Sequence, residues 1–186
     1  TSTGVLDTSF SGDGVFTHNS AAGGSGSDIA YDVAINNNDE IFITGSSVNG
    51  SGDLDMVVWK LKVNGTLDTG FATAGVFIDD SAAGGGVHDQ GTSIHLNSSD
   101  EIFVTGYSDQ TLTNRDLAVW KLSSTGVLDN TFSGDGIFTH DSAAGGEDDN
   151  GNKILSDVSG NLFIVGRSDS LTNLGDMTVW KLTSAG

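Results

Sequence analysis

An acid, an imidazole and a hydroxyl fall close together twice in this chain. "SGDGVFTHNSAAGG" (Ser11–Gly24) supplies Asp13, His18 and Ser20, and "SGDGIFTHDSAAGG" (Ser133–Gly146) supplies Asp135, His140 and Ser142. Such a trio is the equipment of acyl transfer, in which the imidazole takes the hydroxyl proton and the acid orients the imidazole. A degraded version tests that reading. At Ala72–Gly85 the matching residues are Ala74, Asp79 and Ser81, so acid and imidazole disappear while Gly75, Phe77 and "SAAGG" persist. His18 and Ser20 also share a strand face just past a turn, with no oxyanion-hole motif beside them. Turn and packing chemistry recurs; catalytic chemistry does not. No catalytic residue is assigned.

The acids offer a second chemistry. Asp13 and Asp135 lie in Gly-flanked loops, and Asp28, Asp89 and Asp149 occupy matching positions near the second strand of each unit. Calcium is the cation that such oxygen donors would select. No stretch, however, fits an EF-hand loop or a G-G-x-G-x-D repeat, and Asp is a standard turn and capping residue. The expectation is no cofactor, with calcium at these five aspartates the weak metal candidate. "SGDG" lacks the Lys and following helix of a phosphate cradle.

Net charge narrows the partners. The chain has 186 residues, 25 acids against 7 Lys+Arg, and a formal charge of -18. Such a surface repels nucleic acid and anionic membranes. No run approaches the roughly 18 apolar residues of a membrane span, so no membrane insertion is expected. With no Cys, neither a disulfide framework nor a thiolate site is available. The opening "TSTG" carries neither Met nor a signal-like segment, which reads as a mature or excised piece.

The elements that position these residues are repeats. "GVLDTSF" (Gly4–Phe10) returns as "GTLDTGF" (Gly65–Phe71) and "GVLDNTF" (Gly126–Phe132); "DMVVWKL" (Asp55–Leu61) returns as "DLAVWKL" (Asp116–Leu122) and "DMTVWKL" (Asp176–Leu182). Trp59, Trp120 and Trp180 are 61 and 60 residues apart, giving one repeat domain over 1–186 with units 4–64, 65–125 and 126–186. Each unit reads as four short strands, in the first at about Gly14–His18, Tyr31–Ile35, Glu40–Gly45 and Met56–Leu61. No segment sustains a 3.6-residue apolar period, so helix should be scarce.

Both faces of these strands are apolar. Val57, Trp59 and Leu61 oppose Met56 and Val58, and Ile41 and Ile43 oppose Phe42. A sheet with one wet face would alternate apolar with polar. Each sheet is therefore expected to lie between two others, as the blades of a β-propeller do. The core should comprise Phe16, Phe77 and Phe138, Phe42, Phe103 and Phe163, and Trp59, Trp120 and Trp180. Trp stacking against a sugar is the less economical use of residues set inside apolar strands.

The combination "LD-x-x-F", "G-V/I-F", "E-I-F-I/V-T-G" and "D-x-x-V-W-K-L" resembles the delta-60 repeat, a bacterial β-propeller-type repeat of uncharacterised role. It covers essentially the whole chain, three times over; Trp-Lys stands where that pattern more commonly has Ala-Arg. The resemblance implies blades in large secreted or cell-surface bacterial proteins, and no transferable catalytic residues.

Three blades are fewer than the four to eight that close a ring. The ending "TSAG" (Thr183–Gly186) is in repeat phase with "TSTG" (Thr1–Gly4), so two chains could form a six-bladed ring, the three units could be a segment of a longer tandem array, or contacts that do not close could form a filament. The expected role is a non-enzymatic extracellular or cell-surface structural protein that associates with copies of itself. The alternative is an adhesive propeller that recognises a glycan or cell-surface protein. Its support is that "SVNGSGDL", "SDQTLTNR" and "SDSLTNLG" vary between strands that agree.

Overall fold

A computed structural model describes residues 4–146, 148–170 and 175–186, and among these there is no helix. β1 (Gly23–Ile35), β2 (Ile41–Asn49), β3 (Leu54–Leu61) and β4 (Val76–Asp79) form the first sheet in that order. β5 (Asp89–Leu96), β6 (Ile102–Thr111), β7 (Asn114–Leu122) and β8 (Ile137–His140) form the second, and β9 (Asp149–Ser156), β10 (Leu162–Ser168) and β11 (Asp176–Leu182) the third. Neighbouring strands within each described sheet pair antiparallel.

Polar turns fix the β1–β2 register and its equivalents. Asn36 Oδ1 accepts the amides of Asn38 and Glu40, and Asn97 Oδ1 those of Ser99 and Glu101. The third repeat reverses the order of amide and acid, with Asp157 and Asn161 in place of Asn and Glu: Asp157 Oδ1 accepts the amides of Ser159 and Asn161, so the same turn forms. An Asx side chain can replace a backbone acceptor in this way.

Sheets and sequence repeats are out of step by one strand. The opening strand of the second repeat is β4, which pairs with β3 and closes the first sheet; β8 closes the second sheet in the same way. This corrects two expectations. Gly14–His18 is not a strand: among the described residues no sheet precedes it for it to close. Among the described residues the third sheet has three strands, β11-β10-β9, because the strand that closes each of the others comes from the following unit.

The sheets stack face to face. Phe42, Met56 and Val58 of the first meet Ile94, Ile102, Val104, Ala118 and Trp120 of the second. Phe103, Leu117 and Val119, on the other face of the second, meet Ile154, Leu162, Ile164 and Trp180 of the third. Period-2 alternation thus supplies a separate core on each side of the middle sheet. Inner strands are tied as well: Asp32 on β1 accepts Ser93 Oγ and the Ile94 amide from β5 and Lys153 Nζ from β9, at 2.8, 3.0 and 2.8 Å.

Candidate functional site

The residues that looked chemical serve the loops. Asp13 Oδ1 accepts the Val15 amide and Asp135 Oδ1 the Ile137 amide, each at 2.9 Å, closing tight Asx turns. Asp28 accepts the amides of Ser20 and Ala21, Asp89 that of Ala82, and Asp149 that of Ala143. Each "SAAGG" loop is held from the other side too, where Ser47, Ser108 and Ser168 accept the amides of Ala22, Ala83 and Ala144. The recurring motif is therefore a loop whose backbone donors are taken by an Asp and a Ser. Among the described residues, no three His, Asp or Glu side chains converge as a metal site.

The acid and the imidazole of the first unit point to different partners. Asp13 is committed to its own turn, while His18 Nδ1 accepts the Trp59 indole N–H at 3.3 Å. In the third unit His140 Nδ1 lies 3.4 Å from Asp149 Oδ2. His18 and Phe16 line a cleft of about 270 Å³ with Thr17, Asp28, Ile43 and Trp59.

Burial pushes the Asp89 carboxyl up to about 7, aided by the charges of Asp79 and Asp55 and opposed by its hydrogen bonds. Asp116 is raised to about 6, again by burial, with Asp141, Asp149 and Asp109 adding to it. The acidity of the chain thus reaches into the seams between sheets.

Sequence reading missed a charged clasp. Lys60 on β3 reaches Glu40 at 2.9 Å and Asp68 at 3.1 Å, and Lys121 on β7 reaches Glu101 at 2.9 Å and Asp129 at 2.7 Å. Asp68 and Asp129 belong to the "LD-x-x-F" motif of the next repeat, so the clasp fastens each sheet to the segment that will close it. The signal was available: the Lys after each Trp and the Asp of each "LD" recur in all three units. Lysine holds Asp129 down to about 2 and lowers Asp68 against the effect of burial. The third sheet differs. Lys181 lies over the Phe163 ring and, among the described residues, has no acid within ion-pair distance; Asn161 stands where Glu40 and Glu101 do.

The end faces are the most unusual surface. Val58 and Val119 are 0% exposed, but Val179 is 53% exposed; Met56 and Leu117 are 0% exposed, but Met177 is 81% exposed. Phe42 and Phe103, at 0% and 3%, correspond to Phe163 at 37%. On the opposite end of the stack, Ile29, Tyr31, Val33 and Ile35 of β1 are exposed. Of the expected core, Trp59, Trp120 and Trp180 are buried, Phe16, Phe77 and Phe138 half-buried, and Phe163 lies on the open face. The phase match between the termini involves residues 1–3, and the third variable loop residues 171–174; both lie outside the described residues.

No curated protein matches the chain. Residues 37–71 and 98–132 match the profile of a β-propeller domain of unknown function (DUF5122). Each match runs from a β1–β2-type turn, through the Trp strand, to the Phe of the next "LD-x-x-F", so it spans the junction at which one repeat closes the sheet of another. The chain is built of β-propeller-type repeats.

Proposed function

We propose that this chain is a non-enzymatic, extracellular structural module that associates head to tail with copies of itself, as a ring or a filament. One observation carries the reading: Val179, Met177 and Phe163 lie open on the third sheet at positions sealed by the next sheet in the other two. An exposed apolar face of this kind marks an association surface, and the exposed β1 side of the first sheet is its natural counterpart. A heterologous contact between unlike faces propagates or closes, depending on the rotation per copy. The motifs shared with the delta-60 repeat support assigning the unit to that repeat and to the cell surface. The charge of -18 supports solubility of the assembled form and predicts that moderate salt, by screening repulsion between copies, favours assembly.

Light scattering across the micromolar range tests this directly. A mass that rises with concentration to two copies or more is expected. A stable single copy throughout would defeat the proposal.

A further inference from the structure

We propose that residues 6–18 of a second copy complete the third sheet as its fourth strand; this rests on head-to-tail association and specifies its contact. The register follows from the two sheets that are closed within the chain. β4 pairs Met56 with Asp79, Val58 with Phe77 and Trp59 with Val76, and β8 pairs Leu117 with His140, Val119 with Phe138 and Trp120 with Ile137. Carried to β11, this sets Met177 against His18, Thr178 against Thr17, Val179 against Phe16 and Trp180 against Val15.

The turn that leads into the donor strand already has the required shape. Phe10 N donates to Asp7 O and Gly14 N to Phe10 O, as Phe71 and Phe132 donate to Asp68 and Asp129 and Gly75 and Gly136 to Phe71 and Phe132. It is also seated against the sheet that follows it as its counterparts are. Ser11 N donates to Asn64 O, Ala72 N to Thr125 O and Ser133 N to Ala185 O, all at 2.8 Å. Among the described residues, no sheet precedes residues 6–18 and no fourth strand pairs with β11. Each copy therefore holds out one half of the same junction, pre-organised, which lowers the ordering cost of joining them.

The charges match as well as the shape. Asp129 Oδ1 accepts the amide and hydroxyl of Thr131, leaving Oδ2 for Lys121. Asp7 Oδ1 accepts the amide and hydroxyl of Ser9 in the same way, which leaves Oδ2 as the oxygen to meet a lysine. Lys181 is that lysine, and with Asn161 beside it instead of a Glu it depends on Asp7 more than its counterparts depend on Asp68 and Asp129. Phe10 completes the set. Phe71 meets Phe42 edge-on at 6.1 Å and Phe132 meets Phe103 at 6.4 Å, so Phe10 of the second copy would cover Phe163.

Cysteine pairing reads the register, because the chain has no cysteine of its own. Lys60 N donates to Gly75 O, so the Thr178–Thr17 pair falls at a non-hydrogen-bonded position, where Cα atoms approach to about 4.5 Å. Thr17→Cys and Thr178→Cys chains, mixed in a glutathione buffer, should form a two-chain disulfide about tenfold more readily than Thr17→Cys with Asp176→Cys, two residues out of register. In parallel, Asp7→Lys or Lys181→Asp alone should weaken association about three- to tenfold, and mixing the two variants should restore it at the swapped junction. Association that proceeds with no preference for Thr178 over Asp176 and no response to the charge exchange would overturn strand donation while leaving head-to-tail assembly standing. Absence of association in the unaltered chain would remove both.

Discussion

Val119 and Val179 occupy the same position of one motif, and placing Asp at each separates folding from assembly. Val119 is fully buried in the cluster of Phe103, Leu117, Phe132 and Ile164. Removing its side chain from that cluster forfeits about 1.5–3 kcal/mol. The incoming carboxyl has no partner there and must be neutral; at pH 7, about three units above its ordinary pKa, protonation costs about 4 kcal/mol. Val119→Asp should therefore cost about 5–7 kcal/mol, comparable with the whole stability of a domain. Val179 is 53% exposed, so Val179→Asp should cost a dispersed chain less than about 1 kcal/mol. The penalty is transferred to association, where about 4 kcal/mol corresponds to roughly a thousandfold weakening. Urea unfolding followed by tryptophan fluorescence at low concentration reads the first quantity, and light scattering at high concentration the second. If Val179→Asp destabilised the dispersed chain as much as Val119→Asp, or assembled like the unaltered chain, the reading of the third sheet as an open face would be wrong.

Other outcomes follow from the packing and the charges. A Cβ on Gly106 would lie 1.8 Å from the Gln90 carbonyl oxygen, so Gly106→Ala should push β5 from β6 and cost about 2–4 kcal/mol, whereas Gly50→Ala, with nothing within 4 Å, should stay within about 0.5 kcal/mol. Equal urea midpoints for the two would contradict the close approach. The native Asp89 carboxyl, raised to about 7, holds its proton more tightly than in the unfolded chain, where its pKa is about 3.9. Its contribution to stability is therefore complete below about pH 4 and is lost as pH rises through 7. Asp89→Asn should flatten the urea midpoint between about pH 4 and 7, and an unchanged slope would show that another group governs it.

Much of the architecture was legible from spacing. The repeats, the scarcity of helix and the two apolar faces of "MVVWKL" all follow from periodicity, because alternation of side chains across a strand is a local property. Which sheet a strand joins is not local. "GVF" at Gly75–Phe77 reads as a strand in any context, but only the path from Lys60 through Asp68 to Phe71 carries it back to β3. That is why Gly14–His18 reads as a strand although, among the described residues, it has no sheet to close. The role of Asp28, Asp89 and Asp149 had a readable signal in their separation of eight, eight and seven residues from the Ser of "SAAGG". Acid type alone points equally to metal and to turn; the nearly constant offset to a Gly-rich loop singles out the turn.

The one-strand offset between repeat and sheet also gives the molecule a direction under load. Tension applied from the β11 side meets a sheet with no closing strand among the described residues, so β11, β10 and β9 should peel first. Only then does β8 feel the pull, and until it leaves β7 the second sheet stays closed. Each closing strand acts as a ratchet tooth that gives way only after the unit beyond it has gone, so rupture should proceed stepwise from one end.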